Sequence, residues 1–107
     1  MQLGIIVETN DPERVWNGFR FATAALDEGH DVEAFLLGDG VEAPDLDHEA
    51  FNPHGVLAKF ARDGGDLFAC GTCLDSRDLD AGELRPRATM AELVRIVEDA
   101  DRVVTFG

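Results

Sequence analysis

The apolar positions of the chain fall into two rhythms. "LGIIV" (Leu3–Val7) and "VEAFLL" (Val32–Leu37) are nearly continuous apolar runs of strand length. Parallel strands covered on both faces have this pattern. Between them Val15, Phe19, Ala22 and Leu26 recur at steps of four, three and four, which marks one face of a helix. Asp11 stands where an N-cap belongs, Pro12 takes the first helical position, and Gly29 in "DEGHD" stops the helix. The three elements make a β-α-β unit whose crossover is right-handed by rule.

The rest of the chain continues the alternation. "DGVEAPDLDHEAFN" (Asp39–Asn52) is acidic and punctuated, and reads as a loop over the sheet edge or a subunit surface. Asn52 and Pro53 then cap and begin a short helix that ends at Gly64-Gly65. "DLFAC" (Asp66–Cys70) is a third strand. "LDAGELRPRA" (Leu79–Ala88) is irregular, with room for one extra short strand. "TMAE" is a capping box, Thr89 with Glu92, and opens a last helix whose apolar face is Met90, Leu93, Val94 and Val97. "RVVTF" (Arg102–Phe106) closes the chain as a strand. The order predicts a three-layer α/β/α fold, flavodoxin- or Rossmann-like, with about four or five mainly parallel strands.

Composition bounds what such a fold does. A chain of 107 residues, 45% of them hydrophobic, suits one domain over residues 1–107 with a single core. Neither a signal sequence nor a long apolar run is present, so no export and no membrane contact are expected. Acids outnumber bases 22 to 9, for a net charge of −13, and Lys59 is the only lysine beside eight arginines. Such a surface disfavours direct binding to nucleic acid. It is similar to the surfaces of proteins from salt-loving organisms, where high ionic strength screens self-repulsion.

Both cysteines lie in one stretch, "FACGTC", as Cys70 and Cys73. A lone C-x-x-C in an α/β chain points to a reducing cytoplasm and to thiol chemistry rather than a structural disulfide. Chemistry in open α/β sheets sits beyond the carboxyl ends of the strands, and Cys70 falls there. Gly71 lets the chain turn tightly, and Thr72 is placed to cap a short helix carrying Cys73, Leu74 and Arg77. A thiol at a helix N-terminus faces unpaired N–H groups, and such cysteines have pKa values of roughly 3.5–7.5. Arg77 favours the thiolate there, whereas Asp75 and Asp78 oppose it.

Other readings of the pair stay open at this point. The thiols suit a dithiol/disulfide oxidoreductase, although Ala69 rather than an aromatic precedes Cys70 and Gly-Thr separates the two. A zinc site would need His48 and His54 to complete it. Two inert, buried cysteines in a non-catalytic assembly module are the plainest alternative.

Taken together, "LGIIVET", "ERVWNGFRFATAALDEGHDV", "EAFLLGDGV", "DLFACGTCLDSRDL" and "ATMAELVRIVEDADRVVTF" resemble the DsrE/TusD-like (DsrE/DsrF-like) sulfur-relay family over nearly the whole chain. The cysteine ending the third strand and the terminal "DADRVVTF" are the most specific parts. The resemblance implies a DsrE-like fold and a small cytoplasmic sulfur carrier with no cofactor and no metal. In it Cys70 accepts a persulfide sulfur and passes it on, and Cys73 acts as a resolving thiol, a second acceptor or neither. The backbone N–H groups of Gly71 and Thr72 would hold the persulfide anion. The partners implied are sulfur-donor and sulfur-acceptor proteins, and the assembly a trimer or hexamer, of one chain type or with sister subunits.

Little else in the chain carries chemistry. "ETND" (Glu8–Asp11) follows the first strand beside the expected switch point; a cap and turn account for it, and lining the cysteine pocket is its other use. "LGDGV" has no nucleotide-loop spacing. Trp16, Phe19 and Phe21 suit a core or a subunit interface, and no Ser/His/Asp hydrolase signature is present.

Overall fold

The computed structural model describes all of residues 1–107. Five strands form one sheet: β1 (Gln2–Val7), β2 (Asp31–Leu36), β3 (Asp66–Cys70), β4 (Arg87–Ala88) and β5 (Arg102–Phe106). Their spatial order is β4-β3-β2-β1-β5, and every pairing is parallel. The helices are α1 (Pro12–Asp27), α2 (Pro53–Arg62), α3 (Gly71–Asp75) and α4 (Met90–Asp99). This is the three-layer α/β/α arrangement that the alternating pattern predicts.

Local signals set most boundaries. Asp11 accepts from the Arg14 N–H at 3.0 Å and Asn52 from the Gly55 N–H at 2.9 Å, so both caps act as expected. The box at α4 is half made. Thr89 Oγ1 accepts from the Glu92 N–H at 3.4 Å, but the Glu92 carboxylate turns to Arg95 instead of reaching back.

Side chains alternate across the sheet. Leu3, Ile5, Val7, Val32, Ala34, Leu36, Leu67 and Ala69 share one face and are all buried. α1 and α2 cover it, joined by an edge-on contact of Phe19 with Phe60, centroids 5.4 Å apart. Each such fully buried side chain contributes about 1.5–3 kcal/mol. The other face carries Gly4, Glu33, Phe35, Phe68 and Cys70, and α4 crosses it. Gly4 admits this approach, since a Cβ there would stand 3.1 Å from Ile96. Glu33, a buried carboxylate on β2, is held by Arg95 of α4 at 2.6 Å.

Three expectations need correction. The segment read as a loop is a 3-10 helix over Gly38–Asp45, with Gly40, Val41, Ala43 and Pro44 buried. Its acids point outward and masked the apolar residues between them. Thr72 does not cap α3: the helix begins at Gly71, Cys70 holds the N-cap position, and Arg77 lies beyond the end. Finally, only part of the expected apolar face of α4 is buried. Ile96 is buried and Leu93 partly so, while Met90, Val94 and Val97 are 54%, 57% and 45% exposed. Ile96 is the residue that packs against Gly4 of the sheet, and the apolar residues on the far flank of this helix stay exposed.

Five cations pair with eight carboxylates on this surface. Most of the 22 acids therefore have no cationic partner. Screening their repulsion should stabilise the fold. Raising KCl from about 0.1 M to 1 M shortens the screening length from about 10 Å to about 3 Å, and Tm is expected to rise by about 5 °C or more. A flat or falling Tm in a calorimetric salt series would count against this.

Candidate thiol site

Cys70 ends β3 because the register carries it there, opposite Ala88 of β4. The next residue turns into α3, a single turn, so Cys73 lies one turn further on the same side. Cys70 is 4% exposed and Cys73 partly buried, and neither is in a disulfide. Both line an open cleft of about 700 Å³ with Gly71, Thr72, Arg87, Ala88, Thr89 and Met90. The four residues singled out in the sequence, Cys70, Gly71, Thr72 and Cys73, thus share one cavity.

Cys73 is also fixed from the opposite side. Its Sγ accepts from the Gly38 N–H at 3.2 Å, at the start of the 3-10 helix. Burial raises its pKa above the ordinary thiol value, and the neighbouring Cys70 thiol adds to the rise. The Gly38 N–H and the Arg77 guanidinium pull it back down, but burial wins. A raised pKa means less thiolate at any pH below it, so Cys73 is expected to be alkylated slowly near neutral pH. Its pH–rate profile should move to lower pH in Cys70→Ser, where the neighbouring thiol is gone. A profile unchanged by that substitution would contradict the coupling of the two thiols.

Arginines tie the loops around the pair. Arg77 meets Asp39 at 2.8 Å and Glu42 at 3.2 Å, and donates to the Cys73 carbonyl at 3.2 Å. It so joins the 3-10 helix to α3. Arg85 meets Asp45 at 2.7 Å. Arg87 forms a two-pronged pair with Asp75, at 2.9 and 2.6 Å. Its guanidinium lies against Gly71, where a Cβ would come within 3.0 Å of Arg87 Cζ. Sequence reasoning missed Arg87. The one available signal was the room for a short strand somewhere within 79–88, but only the pairing of β4 with β3 shows that this strand brings Arg87 to the thiols.

Other candidates lie elsewhere. The sheet order reverses at β1, two strands from β3. Glu8–Asp11 therefore sit at the switch point and not in the thiol cleft: Thr9 Oγ1 accepts from the Asp11 N–H, and Asp11 caps α1. His54 Nδ1 is bonded to the Pro44 carbonyl oxygen at 2.9 Å, and His48 lies on Phe51. No group of three or more His, Cys, Asp and Glu side chains is arranged to hold a metal. Phe19 is core, Trp16 packs on Phe51, and Phe21 is 42% exposed. No helix is long and apolar enough to cross a membrane.

An all-parallel three-layer fold with a thiol pair at the carboxyl end of its third strand defines a class of small Rossmann-like cysteine proteins. Within that class the chain belongs to the DsrE/DsrF-like family, whose model matches residues 1–106 and which is associated with sulfur relay. It is 37% identical to an uncharacterized protein of Methanopyrus kandleri, covering 88% of this chain and 83% of that one. It is 35% identical to an uncharacterized protein of Methanocaldococcus jannaschii, covering 88% of each. The crystal structure of the ychN protein from E. coli superposes with a TM-score of 0.84 at 26% identity, covering 99% of this chain and all of that one. A conserved protein of unknown function from Bacteroides thetaiotaomicron gives a TM-score of 0.79 at 15% identity, covering 98% and 94%, a likeness of fold.

Proposed function

We propose that this protein is a cytoplasmic sulfur carrier that accepts persulfide sulfur on Cys70 and relays it to a partner protein. The observation that carries the reading is the placement of Cys70: nearly buried, at a strand's carboxyl end, yet lining an open cleft beside a second thiol. An inert core cysteine has no need of such a cleft.

The transfer balances as ordinary thiol exchange. The Cys70 thiolate attacks the outer sulfur of a donor persulfide, R–S–SH. A new sulfur–sulfur bond forms, the donor's breaks, and the donor leaves as a thiolate that takes up the proton. The product is Cys70–S–S⁻ and R–SH. The Gly71 and Thr72 N–H groups, at the start of α3, are the donors proposed for the new anion. For release to an acceptor the same step runs in the forward direction from Cys70. Alternatively the Cys73 thiolate attacks the Cys70 sulfur of Cys70–S–SH, forming the disulfide and expelling hydrosulfide. The test is loading: the reduced protein is incubated with a cysteine desulfurase and cysteine, digested, and searched by mass spectrometry for one added sulfur on Cys70. Absence of sulfur on either thiol would sink the reading.

The proximity of Cys73 favours one second reading, a dithiol/disulfide oxidoreductase. Reduction of a test disulfide by the isolated protein, lost in Cys73→Ser, would select it.

The exposed row of Met90, Val94 and Val97, with Val103 of β5 at 40% exposure, supports assembly with further copies of the chain; the trimer or hexamer is what the family resemblance implies. Val94→Asp is then expected to shift the particle mass by light scattering toward the monomer. A wild-type protein already monomeric at tens of micromolar would remove this part.

A further inference from the structure

The cysteine cleft is an exception on an acidic molecule. The chain carries 22 acids and a net charge of −13. Yet none of the eight residues lining the cleft is acidic, and one, Arg87, is cationic. Arg87 is brought there by β4, whose two residues pair with Ala69 and Cys70 of β3. Its guanidinium lies against the glycine that follows Cys70. Its carboxylate partner, Asp75, stands outside the lining on α3, and both side chains of the pair are more than half exposed.

Both side chains stand in solvent, which screens the pair, so an incoming anion competes with Asp75 for the same guanidinium. Arginine's planar fork also accepts an incoming anion as readily as a carboxylate. We infer that Arg87 is the anion-recognition residue of the cleft, leaving Asp75 to pair with the negatively charged outer sulfur of a persulfide formed on Cys70. The need is physical. The attacking Cys70 thiolate and the Cys70–S–S⁻ it becomes are both negative on a protein whose overall field disfavours them, and one cation lining the same cleft offsets that repulsion. The inference rests on the relay reading for the identity of its anion, but the preference for anions is measurable without any sulfur transfer.

The experiment compares two alkylating probes on Cys70 in a Cys73→Ser background: iodoacetate, an anion, and iodoacetamide, its neutral counterpart. Arg87→Ala is expected to slow iodoacetate about three- to tenfold while leaving iodoacetamide within about twofold. Arg87→Lys, which keeps the charge, should restore most of the iodoacetate rate. Asp75→Asn, which frees the guanidinium, should raise the iodoacetate-to-iodoacetamide ratio above that of the parent. If both probes slow together in Arg87→Ala, Arg87 only shapes the cleft and the inference falls. It falls equally if the ratio does not change in Arg87→Ala, or if Asp75→Asn leaves it unmoved. A protein that takes up no persulfide but keeps the ratio change would sink the relay reading alone.

Discussion

Cys70→Ser is expected to reduce persulfide acquisition to below about one-hundredth of the wild-type level, the scale seen when a nucleophile is removed. A thiolate attacks sulfur, and a serine hydroxyl at neutral pH does not. Cys73→Ser is expected to keep the loading and to lose intramolecular release, because no second thiol remains to form the disulfide. The two substitutions thus separate acceptor from resolver. The two thiols differ in their surroundings. Cys73 is held by the Gly38 N–H on one side, and burial keeps its pKa above the ordinary thiol value. Cys70 stands at the N-cap of α3 with its side chain making no capping hydrogen bond. Sulfur found on Cys73 at wild-type levels in the Cys70→Ser protein would reverse the assignment.

Gly40→Ala is expected to cost about 3 kcal/mol or more and to lower Tm by about 10–20 °C. A Cβ at Gly40 would lie 2.0 Å from the Val7 carbonyl oxygen and 2.8 Å from its carbon. Both are backbone atoms and cannot swing aside. The Val7 carbonyl also accepts from the Leu37 N–H at 3.0 Å, so moving it breaks the exit from β2. Relief requires the 3-10 helix to lift away from the end of β1, and Gly38 would move with it. The Gly38 N–H bond to Cys73 should therefore weaken, and the Cys73 alkylation profile should shift to higher pH. Gly82→Ala serves as the control, since a Cβ there meets nothing within 4 Å. Equal melting temperatures for the two variants would show that the contact at Gly40 is not a constraint.

The parts of the fold legible in the sequence were those governed by neighbours along the chain. Asp11-Pro12 and Asn52-Pro53 begin helices by local hydrogen bonding. The apolar runs at β1 and β2 need no tertiary knowledge, because strands buried on both faces are apolar throughout. The placement of Cys70 followed from the same logic: a strand ended, and the cysteine ended it. What escaped depended on partners distant in sequence. Val41, Ala43 and Pro44 are buried, yet the acids interleaved with them have no apolar period to detect. α4 shows two apolar stripes, and only the sheet beneath decides that Ile96 turns inward while Val94 and Val97 remain outside. Arg87 acquires meaning only through a two-residue strand whose partner lies many residues earlier.

The strand order has a consequence for how the molecule assembles in time. β1, β2 and β3 join through successive local crossovers, whereas β5 must return to β1, where Leu3 meets Arg102. Closing so long a loop costs more entropy than any earlier step, and non-local parallel pairing is slow. The β1–β2–β3 half should therefore form first, and α4 with β5 should dock last. Local openings of a native protein come from its least stable units, and a unit that docks last is expected to be among them. Met90 and Thr89, which wall the thiol cleft, belong to that late half. Brief openings of α4 and β5, too small to unfold the protein, would thus set how often a bulky partner reaches Cys70.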